Sequence, residues 1–422
     1  MAPPDLRRPF KNVAISDQQK RRDLTLQRQA QGRRDAQQAA RFLASSVVSF
    51  QPQHALDEEH ILPEHTTEEI EIEENDENSS SREICVLQAS KLSRGEARKW
   101  FSKQLLLPEW MIDVPDRLPH DWYVFGRPEG VRCFVVSNNG TTTSRTRNGS
   151  ILHTFPSALP NGARTRDVSG PAQSYSILDC IFHKADQTYY VIDMVCWRGY
   201  SLYDCAFEFR LYWLNSKLGE TGACNFPSKY HQFRFSTIPV YNCDRNGLLS
   251  AYDGATPYEK DGLLFYNKYA HYQSGNTPLA LVWKDDNCSK HVIDTDSKGQ
   301  VPGQQRPVLE LLDDGKVVTS DDPPVAFGCL EADFIRKEGL QPGNLIRFSV
   351  SDRGLKCVDG KVITADLLYI EKVNHRDRAF ADSFSKVMFQ HMARHSSIKI
   401  DDLLSCICSS EENVPPDVEM SG

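Results

Sequence analysis

Apolar and polar positions divide the chain into stretches of different period. Ser16 to Ala44 is rich in Gln, Arg and Ala, and Leu24, Leu26, Ala30, Phe42 and Leu43 make a thin helical stripe. Ser16 and Gln19 stand in S-x-x-Q spacing, a signal for a helix start. Gly32 inside the stretch costs about 1 kcal/mol relative to Ala. So thin a stripe buries little surface, so this arm is expected to be disordered until a partner covers it. Residues 45–82 lack core positions and read as an unstructured linker. Over 83–108, Ala97, Trp100, Phe101, Leu105 and Leu106 recur on neighbouring helical turns.

From Trp110 to Ile293 the period shortens. The runs WYVFGRPEG, VRCFVVS, SYSILDCIF, QTYYVIDMVCW, EFRLYWL, DGLLFYNK and TPLALVW are apolar, β-branched or aromatic, with Gly, Pro, Asn and Asp between them. They predict a mainly antiparallel α+β body, with a polar boundary near 296–306. PVLELLDDGKVV, VAFGCLEADFI, NLIRFSV and LLYIEKV predict short strands of a small β-barrel. Phe380 to Ile407 reads as one or two helices, and the tail 409–422 as disordered. The expected units are 1–44, 45–82, 83–300, 301–408 and 409–422.

Charge sharpens this division. The 422 residues carry 49 Lys or Arg against 57 Asp or Glu, a formal −8. Residues 1–44 hold ten basic side chains and four Asp, a net +6, while 57–77 hold eleven acidic ones and no Lys or Arg. The remainder carries only −3. A basic arm, an acidic strip and a near-neutral body point to a partner read by charge. The acidic strip is a candidate competitor for the arm within the chain. MAPPDLRRPFKN has no apolar h-region and no run of about 18 apolar residues occurs, so neither a secretory signal nor a membrane span is expected. The 12 cysteines contain one C-x-C pair, Cys406 and Cys408, and no C-x-x-C, so reduced thiols are expected rather than disulfides or a metal site. Cys180, Cys196 and Cys205 lie in apolar runs as core residues, as do Trp122, Trp197 and Trp213.

Candidate chemistry lies in four runs: RPEGVR (127–132), YYVIDMVCWRG (189–199), DGLLFYNK (261–268) and PLALVWK (278–284). In this order they resemble the covalent nucleotidyltransferases, which include mRNA capping enzymes and polynucleotide ligases and whose first motif is Lys-x-Asp/Glu-Gly-x-Arg. YIEKVNHRDRAFADSFSKVMF (369–389) is similar to a weakened closing motif, and the small barrel to their OB domain. The lysine position holds Arg127. A lysine can lose its proton and attack phosphorus; a guanidinium with a pKa above about 12 cannot. The resemblance therefore implies the fold and a nucleotide pocket without covalent catalysis. An RNA guanylyltransferase or ligase is the competing expectation.

A closer resemblance is to the snurportins. It is carried by EWMIDVP (109–115), the Trp122 strand, YSILDCIF, QTYYVIDMVCWRG, YDC with FRLYWLNSKL, and DGLLFYNKYAHYQSGNTPL. That family implies a non-enzymatic nuclear import adaptor for 2,2,7-trimethylguanosine-capped U snRNA in its particle, shuttling between cytoplasm and nucleus. A cationic methylated guanine needs aromatic faces and its triphosphate needs Arg or Lys. By motif position the resemblance implies Trp110 on the first nucleotide's base, Trp283 on the methylated guanine, and Arg132 and Arg147 near phosphate or base. TPLALVW is one residue longer than the family's usual form. Pro108 stands for a family Ser, and Arg127 for a small residue. The arm resembles an importin-β-binding domain, which implies a role for Arg7, Arg8, Lys11, Lys20, Arg21, Arg22, Leu24, Arg28, Arg33, Arg34 and Arg41. The family's export-receptor contact uses an apolar N-terminal segment that MAPPDLRRPF lacks. No cofactor is implied.

Overall fold

The computed structural model describes residues 17–31, 104–164, 175–296, 298–358, 361–374 and 380–411. Two sheets face each other. The first has the order β1-β12-β11-β2-β10, from β1 (Leu106–Trp110), β2 (Trp122–Pro128), β10 (Tyr241–Asn242), β11 (Lys260–Asn267) and β12 (Gly275–Trp283). Its strands pair antiparallel except β1, which runs parallel to β12 with Trp110 opposite Val282. The second contains β3 (Val131–Asn138), β4 (Thr141–Thr146), β5 (Ile151–Phe155), β6 (Ser176–His183), β7 (Thr188–Trp197) and β8 (Tyr200–Ser201) in the order β5-β4-β3-β6-β7-β8. A short β9 (Arg234–Thr237) lies parallel to β7. Every residue of β6 and β7 is buried, because both faces of these strands are covered.

Alternation sorts the side chains onto three layers. Between the sheets lie Phe125, Leu264, Tyr266, Ala280 and Val282 against Phe134, Val136, Ile177, Ile181 and Ile192. The outer face of the second sheet packs Val191, Met194 and Trp197 under α3 (Phe207–Glu220), through Leu214 and Leu218. The outer face of the first sheet buries Trp122, Leu263, Phe265, Leu281 and Trp283. It is covered by α4 (Arg245–Tyr252), α6 (Phe384–His395) and α7 (Ile400–Glu411), with Leu248, Phe389, Leu403 and Ile407 closing the layer. The remaining helices are α1 (Gln18–Gln31), α2 (Leu118–Asp121) and α5 (Ala332–Lys337).

The C-terminal unit is an antiparallel sheet, ordered β15-β14-β13-β16-β17, from β13 (Val308–Leu311), β14 (Lys316–Val318), β15 (Ala326–Cys329), β16 (Leu345–Val358) and β17 (Lys361–Val373). It curls so that β15 comes back against β17, but hydrogen bonding does not close it, which makes a half barrel of the expected barrel. Leu309, Ile346 and Phe348 fill it together with Phe384 and Val387 of α6.

Several expectations change. EFRLYWL is not a strand but the start of α3: its buried positions, Phe207, Arg210, Leu214 and Leu218, recur at three and four residues, the period of a helix. Trp213 therefore stands on a helix and is only partly buried. Leu106 is in β1 rather than in a helix, and Leu105 and Leu106 are core. VAFGCLEADFI splits into β15 and α5. The arm helix exists over 18–31 and is packed on the body, although disorder was expected of the free arm; the body itself supplies the missing face. Asp17 caps it, accepting the Lys20 amide at 2.9 Å. Ser16, the rest of the arm, the acidic strip and the tail from 412 lie outside the described residues. The ten cysteines described are free thiols. Among the described residues no helix is long and apolar enough to cross a membrane.

Candidate functional site

The C-terminal ends of β1, β2 and β12 and the start of β11 meet at one end of the first sheet. Asp261 is presented there by a bulge near the start of β11, where the register with β2 shifts between Lys260 and Leu263. Gly262 has φ +99°, and a Cβ on it would come within 2.6 Å of the Trp283 carbonyl oxygen, so only glycine fits. The Asp261 carboxylate accepts from Arg127 Nη1, from Lys284 Nζ, and from Ser289 Oγ at 2.7 Å. Burial pushes its pKa up, but Arg127 and Lys284 outweigh this and hold it below the usual carboxylate range. Burial pulls Lys284 below the ordinary amine value, and Asp261 opposes that. Lys284 Nζ also lies 5.7 Å from the Trp110 ring centroid, a cation–π distance. Trp110, Lys284, Asp261 and Arg127 therefore form one row.

Trp110 is partly buried, as expected for an edge strand. Its ring lies 4.8 Å from that of Phe389 at 46°, and its amide donates to Ser385 Oγ at 3.1 Å. Phe389 and Ser385 belong to α6, so the C-terminal unit completes this site. Its neighbour Glu109 is 2% exposed and accepts from Gln18 and Arg21 of α1.

Arg132 stands deeper, between the sheets. Its Nε and Nη2 donate to Asp179 at 3.1 and 2.7 Å, a diagonal pair across β3 and β6, and Nη2 also reaches the Tyr266 hydroxyl at 3.3 Å. Burial works against its charge, but Asp179 outweighs it and raises its pKa. Tyr272 donates to Asp179 at 2.8 Å. Directly opposite Asp179 across β6 and β7 is Asp193, neutralised by Arg210 at 2.9 and 2.8 Å with both side chains fully buried. Like charges paired this way repel, and each carries its own guanidinium.

Trp283 does not reach the site. It is 0% exposed, its indole N–H donates to the Ile398 carbonyl at 2.9 Å, and its ring neighbours Tyr252. The cause is parity. Val282, opposite Trp110, faces the space between the sheets, so Trp283 faces outward under α4 and the C-terminal helices. Arg147, in the β4–β5 turn, places its guanidinium 4.3 Å from the Phe380 ring centroid, on the seam with the C-terminal unit. Of the five residues expected at the cap, the structure brings Trp110 and Arg127 together, places Arg132 in the interior behind them, and sets Arg147 and Trp283 apart. In the arm, Lys20, Arg21, Arg22, Leu24 and Arg28 are on α1; the other six lie outside the described residues.

Glu109, Lys284, Asp179, Ser385 and Phe389 were not anticipated. Asp179 had a signal, an acid within the apolar run SYSILDCIF. The others are defined by contacts distant in sequence. Among the described residues no group of acidic, His and Cys side chains could hold a metal ion.

Two facing sheets, with a curled antiparallel sheet after them and the cluster at the sheet end, define an α+β protein. Residues 104–284 match the family described as "Snurportin1, m3G cap-binding domain". Among solved structures the chain is similar to a mycobacterial DNA ligase D complexed with ATP and MES, at 10% identity, covering 65% of this chain and 96% of that one, with a TM-score of 0.32. It is also similar to a Lig E DNA ligase, at 14% identity, covering 64% and 99%, with a TM-score of 0.29. Overlap this low carries no argument about activity or ligand.

Proposed function

We propose that the chain is a nuclear import adaptor: its body binds the trimethylguanosine cap of U snRNA, and its basic arm links that cargo to importin-β. The observation that carries the reading is the match of 104–284 to the snurportin m3G cap-binding domain. Trp110 is the aromatic face for the cap, and Lys284, Arg127 and Arg132 are the cations for the triphosphate bridge. The protein shuttles between cytoplasm and nucleus and does not transfer nucleotides, since Arg127 occupies the position of the nucleophilic lysine.

The test is affinity for trimethylguanosine and monomethylguanosine cap analogues. The trimethyl cap is expected to bind more tightly, and Trp110→Ala to weaken it by about tenfold or more, since stacking is worth about 1–3 kcal/mol per base. Equal affinity for both caps, or no effect of Trp110→Ala, would overturn the site. One observation favours the rival enzyme: Lys284, its proton affinity lowered by burial, adjoins Asp261. Incubation with labelled GTP and magnesium separates the two; a covalent lysyl-nucleotide adduct would sink the adaptor reading.

A further inference from the structure

The arm helix α1 is joined to the body along a surface made for it. Arg21 forks onto Glu109, with Nη1 to Oε2 at 2.9 Å and Nη2 to Oε1. Gln18 is fully buried: its Nε2 donates to Glu109 Oε2 and to the Trp110 carbonyl, both at 3.0 Å. Its Oε1 accepts from Arg22 Nη2 at 3.1 Å. Arg22 is 2% exposed, donates to the Asp113 carbonyl at 3.1 Å, and lies 5.8 Å from the Trp122 ring centroid. At the other end of the helix, Gln29 Oε1 accepts from the His271 amide at 2.8 Å. Lys20, Asp23, Gln27 and Arg28 remain exposed on the outer side.

The body side is electrostatically incomplete without this helix. Glu109 and Asp321, 2% and 8% exposed, are both pushed up by burial, and Arg21 is a cation that acts on each. Two desolvated carboxylates near one another need a positive partner, and a guanidinium fork matches a carboxylate best. The helix in turn gives something up. Burial lowers Arg22 to about 10, and its Nε finds no hydrogen bond among the described residues. Docking is therefore specific but not fully satisfied, as suits a contact that must open.

We infer that the Glu109–Asp113 edge is a docking surface for the chain's own basic helix, which withholds Arg21 and Arg22 from any acidic partner while docked. The masking of an import receptor by this contact rests on the function proposed above; the docking does not. A partner binds only the undocked fraction, so its apparent affinity falls by that fraction.

Hydrogen exchange of the full chain, followed by mass spectrometry, tests the docking without cap or receptor. Amides of 20–31 should exchange slowly in the wild type, since a helix this short is marginal in isolation. Glu109→Gln should speed their exchange by about tenfold or more, because it removes a charge-assisted fork. Arg21→Gln should do the same from the arm side. Peptides from β6 and β7 report whether each variant is folded. Wild-type exchange at the unprotected rate, or unaltered protection in both folded variants, would overturn the proposal. Importin-β affinity is then measured with Glu109→Gln, which leaves the arm intact; a severalfold increase is expected. Absence of any importin-β binding with protection still present would refute the adaptor function and leave the docking standing.

Discussion

Trp110 and Trp283 sit on adjacent strands one register position apart, yet in opposite surroundings. Trp110 ends an edge strand, so its neighbours come from elsewhere: Lys284 after β12, and Phe389 and Ser385 from the C-terminal unit. Trp283 ends an interior strand and is sealed by Tyr252 and the Ile398 carbonyl. A partly buried ring held by replaceable contacts can exchange them for a ligand. A fully buried ring with its N–H satisfied can only lose. Residue type and motif position do not separate the two; strand parity and sheet position do.

Trp283→Ala tests this contrast most severely. Removing a fully buried indole should cost about 3–5 kcal/mol of stability, read by urea unfolding, while cap affinity of the folded protein stays near wild type. Loss of affinity with stability unchanged would reverse the assignment of the two tryptophans. Trp110→Ala should give the opposite pattern, lowering cap affinity by about tenfold or more with a smaller loss of stability.

Asp261 sharpens the electrostatic half of the comparison. Its pKa is lowered in the folded state, so it contributes stability above its unfolded value, about 3.9, and that contribution is lost as pH falls through the lower folded value. Asp261→Asn should therefore be less stable than wild type at pH 7, and the gap should narrow in unfolding experiments below about pH 4. A gap independent of pH would mean that Arg127 and Lys284 do not act through the Asp261 charge. The smallest effect is expected at the seam. Arg147→Ala removes a cation–π contact with Phe380 worth about 0.5–1 kcal/mol, measurable as a small change in the unfolding midpoint.

The body's strands were legible because their alternation is local: β2 and β7 fall within the apolar runs that predict them, and β3, β6, β11 and β12 overrun theirs by no more than two residues. The same cue misled at EFRLYWL, where aromatic density masked a helical spacing. The site was legible only where chemistry is intrinsic to the residue. Arg127 cannot act as a nucleophile in any fold, and Trp110 stands in a motif that the family match includes. The burial of Glu109 was not legible, since Gln18 and Arg21, 91 and 88 residues away, create it.

By itself the sequence determined the periods, the breakers, the charge blocks and the chemical limits of each side chain, because these depend on near neighbours or on the residue alone. Tertiary structure decided which face received Trp283, which helix closed over Trp110, and where the basic arm came to rest. Those outcomes depend on strand parity counted across paired strands, and on desolvation by segments far apart in the chain, which no local pattern records.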